Sequence, residues 1–243
     1  KNMPVLGYVH SSVRPLDLCM LSDPRTYEGQ EIETQSVPDR LAVGTSSGLN
    51  LFEQSGYPKE KLFGVEALRY MSLMGHYGSA KKELKSTGRV LLVAPGMTNH
   101  ETQVHFEMLA DAGRQGGLDK YDDVIIKQHP GYPLKKFLTD FNPPFSYSVV
   151  DENLNTLWSR VDVVYCPNSP GVSLEVAYLG LPIIIPSPVN SLNMNPLYGL
   201  PGIEFIANSD ELVEKLDNPS PIDIPEDYFF FDRDLTRWKD FLE

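Results

Sequence analysis

The sequence predicts an α/β protein, a Rossmann-type parallel sheet with helices on both faces, joined to a partial N-terminal α/β lobe. Three observations carry this. From Arg89 onward, short β-rich runs alternate with helical patterns, and that alternation implies right-handed βαβ units on a parallel sheet. The runs "VIIK", "VVYC" and "PIIIP" are continuously apolar, as expected of strands covered on both faces. At 243 residues, 41% hydrophobic and 22% charged, the chain can build one large domain or two small lobes.

In order, "RVLLVAP" reads as a strand and "HETQVHFEMLADAG", His100 to Gly113, as an amphipathic helix closed by glycine. "DDVIIKQHP" is the next strand, followed by a short helical stretch around "PLKKFLTDF". "FSYSVVD" is expected to be a third strand with "ENLNTLWSR" as its helix. "VDVVYCP" is a strand, "GVSLEVAYLG" a helix closed by Gly180, and "LPIIIPS" a further strand. "IEFIAN" and "DELVEKLDN" form a last strand–helix pair.

Residues 1–70 read differently. "PVLGYVHSS" and "PDRLAVGTSSG" are two strands, "GLNLFEQSGYP" a helix closed by Gly56, and "KEKLFGVEALRY" a strand leading to a connector. That is the tail of an α/β domain, so the chain is expected to be a piece of a longer protein. Residues 71–88, with the polar "MGHYGSAKKELKSTG", read as an interdomain linker, leaving 89–243 as the second domain.

Net charge is −12, which argues against nucleic acid as a main partner, since phosphate backbones need clustered Lys and Arg. Cys19 and Cys166 lie far apart and without zinc-ligand spacing, which fits two reduced thiols and a cytoplasmic setting. No metal and no cofactor are expected. No apolar stretch reaches membrane-span length, and a peripheral place at the inner face of a membrane stays open.

In an open parallel sheet, ligands bind outside the carboxyl ends of the strands. Three exits carry notable residues. At "APGMTNHE", Gly96 permits a tight turn, and Thr98 with Asn99 can cap the next helix; the turn either receives a phosphate or is simply capped. At "KQHP", His129 is pinned by Pro130 and can donate to a phosphate oxygen or bond a neighbouring loop, and Lys127 can add positive charge. At "CPNSPGVSLEVAYLG", Ser169, Gly171, Val172 and Ser173 surround a helix start whose N–H groups and dipole favour a phosphate. Glu175 in the first turns can accept from ribose hydroxyls or act as a capping carboxylate.

"IIKQHP" followed by "SPGVSLEVAYLGLPIIIP" resembles the nucleotide-binding half of GT-B glycosyltransferases, and more narrowly bacterial sialyltransferases and Kdo transferases that use CMP-sugars. The resemblance implies that His129 and Pro130 match the HP motif and Ser169, Gly171, Val172 and Ser173 the serine motif, together holding the donor phosphate without a metal. Glu175 matches an acidic residue directed at the donor's ribose or sugar. It further implies transfer of a CMP-activated ulosonic acid, Kdo or sialic acid, to a cell-surface glycan or glycolipid, as in lipopolysaccharide biosynthesis. Residues 1–70 then resemble the end of the acceptor domain, with His10 as a cleft residue and candidate base, and "DYFFFDRDLTRWKDFLE" resembles the terminal helix that crosses back to it. Much of that acceptor domain is missing, so the fragment alone is expected to be inactive. Polymerases that transfer polyol phosphate from a CDP-linked donor resemble the HP pattern too. UDP- or GDP-sugar transfer and a non-catalytic nucleotide-binding scaffold complete the alternatives.

His100 and His105 are five apart, not at metal-pair spacing, and are expected on the helix surface or at its cap. "GTSSG" meets the nucleophile-elbow pattern only loosely, and no Asp…His order follows it. "YFFF", Tyr228 to Phe231, is expected to pack against the body.

Overall fold

The computed structural model describes residues 3–27, 37–96, 98–129, 131, 134, 137–138, 141–167, 171–187 and 192–243. The chain divides into two compact units, residues 1–75 with 224–243, and residues 76–223. The division falls at Gly75 and His76, inside the stretch read as a linker. Part of that stretch is tied into the second unit, since the amides of Gly78 and Ala80 donate to the carbonyls of Tyr178 and Leu179.

In the first unit β1 (Leu6–Val9), β2 (Arg40–Val43) and β3 (Leu62–Gly64) form a three-stranded sheet, parallel throughout, in the order β1-β2-β3. Helix α1 (Ser46–Gln54) begins where Thr45 Oγ1 accepts from the Gly48 amide, and it seals one face through Phe52 against Val9, Leu41 and Val43. The last helix, numbered α5 here (Thr236–Leu242), seals the other through Phe241 and Trp238 on Ala42 and Val65. The aromatic run packs inward as expected. Tyr228 and Phe229 are buried, and the Phe230 amide donates to the Gly44 carbonyl.

The second unit holds β4 (Arg89–Val93), α2 (Asn99–Arg114), β5 (Tyr121–Lys127), β6 (Ser148–Val150), β7 (Val163–Tyr165), α3 (Val172–Leu179), β8 (Ile183–Ile184) and α4 (Ser209–Asp217). The five strands are parallel in the order β6-β5-β4-β7-β8. Leu91, Val93, Val124, Ile126, Val163 and Tyr165 pack on α2 and α4. The residues of opposite parity, Leu92, Ile125 and Val164, are buried as well, so both faces are covered. The α/β reading therefore holds in full.

Local expectations fail in four places. "ENLNTLWSR" forms one 3₁₀ turn, Leu154–Thr156, because the Thr156 hydroxyl bonds back to the Asn153 carbonyl and to Glu152 instead of leaving the backbone to continue. "IEFIAN" gives a single bridge, Ile206 to Pro186, and β8 is only two residues long, because Pro182 and Pro186 have no N–H to extend a ladder. The helix expected to close at Gly113 runs on to Arg114, and the left-handed glycine behind it is Gly116, φ 82°. His105 is not on the surface; it is 1% exposed in the core, while His100 is exposed as expected. Most of "PLKKFLTDF" lies outside the described residues.

Two buried ionic anchors fix the sheet's ends. Asp162 Oδ2 accepts from the Val90 amide, and Lys82 pairs with the same carboxylate at 2.6 Å. Burial pushes that carboxyl up, but Lys82, the Val90 amide and Lys85 together hold it below its ordinary range. Arg89 donates to the carbonyls of Leu216 and Asp217, closing the C-terminus of α4 with a cation where the helix dipole favours one. Among the described residues no helix is long and apolar enough to cross a membrane.

Candidate functional site

The chain order of the larger sheet decides where a ligand can go. From β4 the chain moves outward to β5 and β6, then returns to the other side of β4 for β7 and β8. That reversal is a topological switch point, and in open α/β sheets the ligand crevice lies at such a point, here outside the carboxyl ends of β4 and β7. Three exits lie on this edge, leaving β4 at Ala94, β5 at Gln128 and β7 at Cys166.

At the first exit Thr98 caps α2, its Oγ1 accepting from the Glu101 amide at 3.1 Å. Gly96 is buried, its carbonyl accepts from Thr102 Oγ1, and a Cβ there would lie 2.6 Å from Glu101 Cγ. Glycine is therefore required for the close approach of the Glu101 side chain.

At the second exit Lys127 is buried, and its ammonium donates to the carbonyls of Gln128 and Asp151. His129 is half-buried, and its Nδ1 accepts from the Gly131 amide at 3.1 Å. An Nδ1 that accepts carries no proton, so in the neutral ring the proton sits on Nε2, which is the edge able to donate. Pro130 lies outside the described residues.

At the third exit α3 starts with Gly171 at its N-cap, φ −54° and ψ −15°, with no side-chain cap hydrogen bond. Val172 is the first helical residue and is half-buried. Glu175 sits in the first turn, half-buried, where the helix dipole favours a carboxylate. The helix ends on Gly180 in the left-handed region, φ 77°, as the sequence predicts. Ser173 is fully buried and donates to Asn195 Oδ1 at 3.3 Å, so its hydroxyl turns into the protein. Ser169 lies outside the described residues. His10, in the other unit, is exposed at the exit of β1. Among the described residues no group of three His, Cys, Asp or Glu side chains is placed to hold a metal ion.

No protein-family model and no curated protein matches the sequence. Solved structures do. The chain is similar to UDP-GlcNAc 2-epimerase of Methanocaldococcus jannaschii, solved with UDP-GlcNAc and UDP, at 16% identity and TM-score 0.56, over 84% of this chain and 61% of that one. It is similar to the S. aureus MnaA–UDP structure at 11% identity and TM-score 0.56, over 87% and 60%. The Neisseria meningitidis UDP-GlcNAc 2-epimerase bound to UDP-GlcNAc aligns at 11% identity and TM-score 0.53, over 91% and 65%. The fold is GT-B-like. The chain spans less than two thirds of the length of these structures.

Within the GT-B-like unit, two residues at the site escape a reading of the sequence. Asn195 is fully buried, and its Oδ1 accepts from both Ser173 and the Leu197 amide, which locks the loop after β8 onto the first turn of α3. The repeated asparagines of "NMNP" are the signal, since Asn side chains close local turns. Glu101 lies over Gly96, and its charge adds to burial in pushing the Cys166 thiol up. Nothing in its helical spacing marks it out.

Proposed function

We propose that residues 76–223 bind the nucleotide of an activated sugar at the crevice between β4 and β7. One observation carries this reading: at the switch point of a five-stranded parallel sheet, a helix begins on a glycine with no side-chain cap and carries a carboxylate in its first turn. The N–H groups that begin α3 at Gly171 and Val172 suit a phosphate, Glu175 suits ribose hydroxyls, and the Nε2 edge of His129 suits a phosphate oxygen. The similar structures are complexes with UDP or UDP-GlcNAc, which puts a uridine nucleotide first and CMP, implied by the motif resemblance, second.

The reaction we assign is glycosyl transfer, with the dipole of α3 and His129 stabilising charge on the departing phosphate. CMP-activated ulosonic acid as donor and a surface glycan or glycolipid as acceptor are the finer form of this reading. Sugar epimerisation, the activity for which the similar enzymes are named, is the second reading. Product analysis with a UDP-sugar, with and without a glycan acceptor, separates the two.

Calorimetric titration with UDP, CMP, CDP and GDP tests the binding step. At least one pyrimidine nucleotide binds, and His129→Ala weakens it by about tenfold, the value of a hydrogen bond to a charged group. No binding by any of the four overturns the reading. Binding that His129→Ala leaves unchanged removes the histidine from the site.

A further inference from the structure

The smaller sheet has a carboxyl edge of its own. Because β1, β2 and β3 are parallel, His10 and Ser11 after β1, Gly44 and Thr45 after β2, and Ala67 to Tyr70 after β3 emerge on one side. A depression there is lined by His10, Ser11, Thr45, Arg69 and Tyr70, and among the described residues no carboxylate lines it. Gly44 favours the closeness: a Cβ on it would stand 3.0 Å from the Ala67 Cα, tighter than ordinary van der Waals contact.

The charge at this edge is unusual for a chain of net charge −12. Arg69 and His10 are both exposed, and neither pairs with a carboxylate among the described residues. Arg69 stands beside the Tyr70 ring, 5.8 Å from its centroid. The nearest acid in sequence, Glu66, is fully buried and spent elsewhere, accepting from the amides of Arg237 and Trp238 at the start of α5. The hydroxyl of Thr45 is committed to the Gly48 amide, so the start of α1 is already capped and adds nothing to the case.

We infer that this edge is a second binding site, taking the oxyanion of a small polar substrate, a carboxylate or a phosphate, in the fork of Arg69 with His10 beside it and the Ser11 hydroxyl at the rim. A guanidinium matches a two-oxygen anion by paired parallel N–H donors, and an exposed cation with no acid partner loses no existing ion pair when it binds one. The inference stands apart from nucleotide binding by residues 76–223 and survives the failure of that reading.

Histidine-selective NMR on the 243-residue chain tests it, with inorganic phosphate and glucuronate as probes and chloride at equal ionic strength as the reference. His10→Gln identifies the His10 signal. The expected result is a saturable shift of that signal, with half-saturation on the order of millimolar, that chloride does not reproduce. Arg69→Gln weakens it by about tenfold, and Arg69→Lys, which keeps the charge but not the fork, falls between. Saturation by phosphate alone assigns a phosphate source, by glucuronate alone a carboxylate source, and by both an oxyanion site of either kind. A shift that chloride matches, or equal half-saturation in Arg69→Gln at an unchanged unfolding midpoint, overturns the inference. If Arg69→Gln unfolds, Arg69→Lys carries the same comparison.

Discussion

Two parallel sheets in this chain end their strands on polar residues, and they dispose of those residues in different ways. At the edge of β4, β5 and β7 most side chains are consumed by the protein: Lys127 by two carbonyls, Ser173 by Asn195, Thr98 by the amide of Glu101. The nucleotide site proposed there draws on backbone N–H at the start of α3, the carboxylate of Glu175 and the imidazole of His129. At the edge of β1, β2 and β3 the consumed groups are Thr45 and Glu66, and the groups left over are a guanidinium and an imidazole. Polarity at a strand exit does not by itself make a ligand. The hydrogen bonds a side chain already makes decide whether it is scaffold or site.

The sharpest way to break this comparison is to attack the scaffold of the larger edge. Asn195→Leu removes the acceptor of both the Ser173 hydroxyl and the Leu197 amide in a fully buried place. Losing both bonds in a buried place should cost about 3 kcal/mol. The second unit can be watched alone by the fluorescence of the buried Trp158, in a background where Trp238 is phenylalanine. Urea unfolding should show a lower midpoint at an unchanged slope. Ser173→Ala in the Asn195→Leu background should then add almost nothing, because one partner of the bond is already gone. A change within about 0.5 kcal/mol for Asn195→Leu would mean that Ser173 is held by something else, and its hydroxyl would return to the candidate ligands.

Next in size is His105. Its ring lies 3.9 Å from the Tyr165 ring, centroid to centroid, and neither nitrogen has a hydrogen-bond partner among the described residues. Burial pushes its pKa down from the usual 6.5 to about 3. The folded state therefore refuses a proton that the unfolded chain accepts. Stability from this group is intact above 6.5 and falls as pH drops from 6.5 toward 3, at about 1.4 kcal/mol per unit, or about 2 kcal/mol by pH 5. Carboxylates such as Asp162 add their own loss on acidification, so the measurement is a difference between two proteins. His105→Phe should match or exceed the parent at pH 7 and lie about 2 kcal/mol further above it at pH 5. Parallel stability–pH curves for the two would show that water reaches the ring.

How much of this was legible in the sequence follows the same division. Strand runs such as "VIIK" and "VVYC" announced a doubly covered sheet, because apolar continuity has no other use in a strand. The placement of the exits is legible too, since His129 follows the carboxyl end of β5, and Gly171 and Glu175 fall at the start of the helix after β7. What stayed hidden is long-range bonding. No local pattern says that Ser173 faces Asn195, twenty-two positions away. None says that Lys127 turns back onto the exit of β6. His105 was read outward because polar residues usually are, whereas its helix turn faces the strands through Phe106 and Leu109 as well. Elements with competing local chemistry also escaped, as where the hydroxyl of Thr156 halts a helix after one turn.

The smallest expected effect sharpens the comparison most directly. By residue type, Lys127 is the natural cation for a phosphate at the exit of β5, and a lysine that served it would make nucleotide affinity depend on salt. Its ammonium is instead shared between the carbonyls of Gln128 and Asp151, with the side chain 8% exposed, so reaching a ligand would mean giving up both bonds. Lys127→Met keeps the length of the stem and removes the donor. It should cost about 1 kcal/mol of stability, from two carbonyls that then look to water, and change nucleotide affinity by less than about twofold, against about tenfold for His129→Ala. A tenfold loss for Lys127→Met, with a flatter salt dependence, would mean that the ammonium leaves its carbonyls when a nucleotide arrives. The two exits would then differ in how tightly they hold their cations, and no longer in whether they have one to offer.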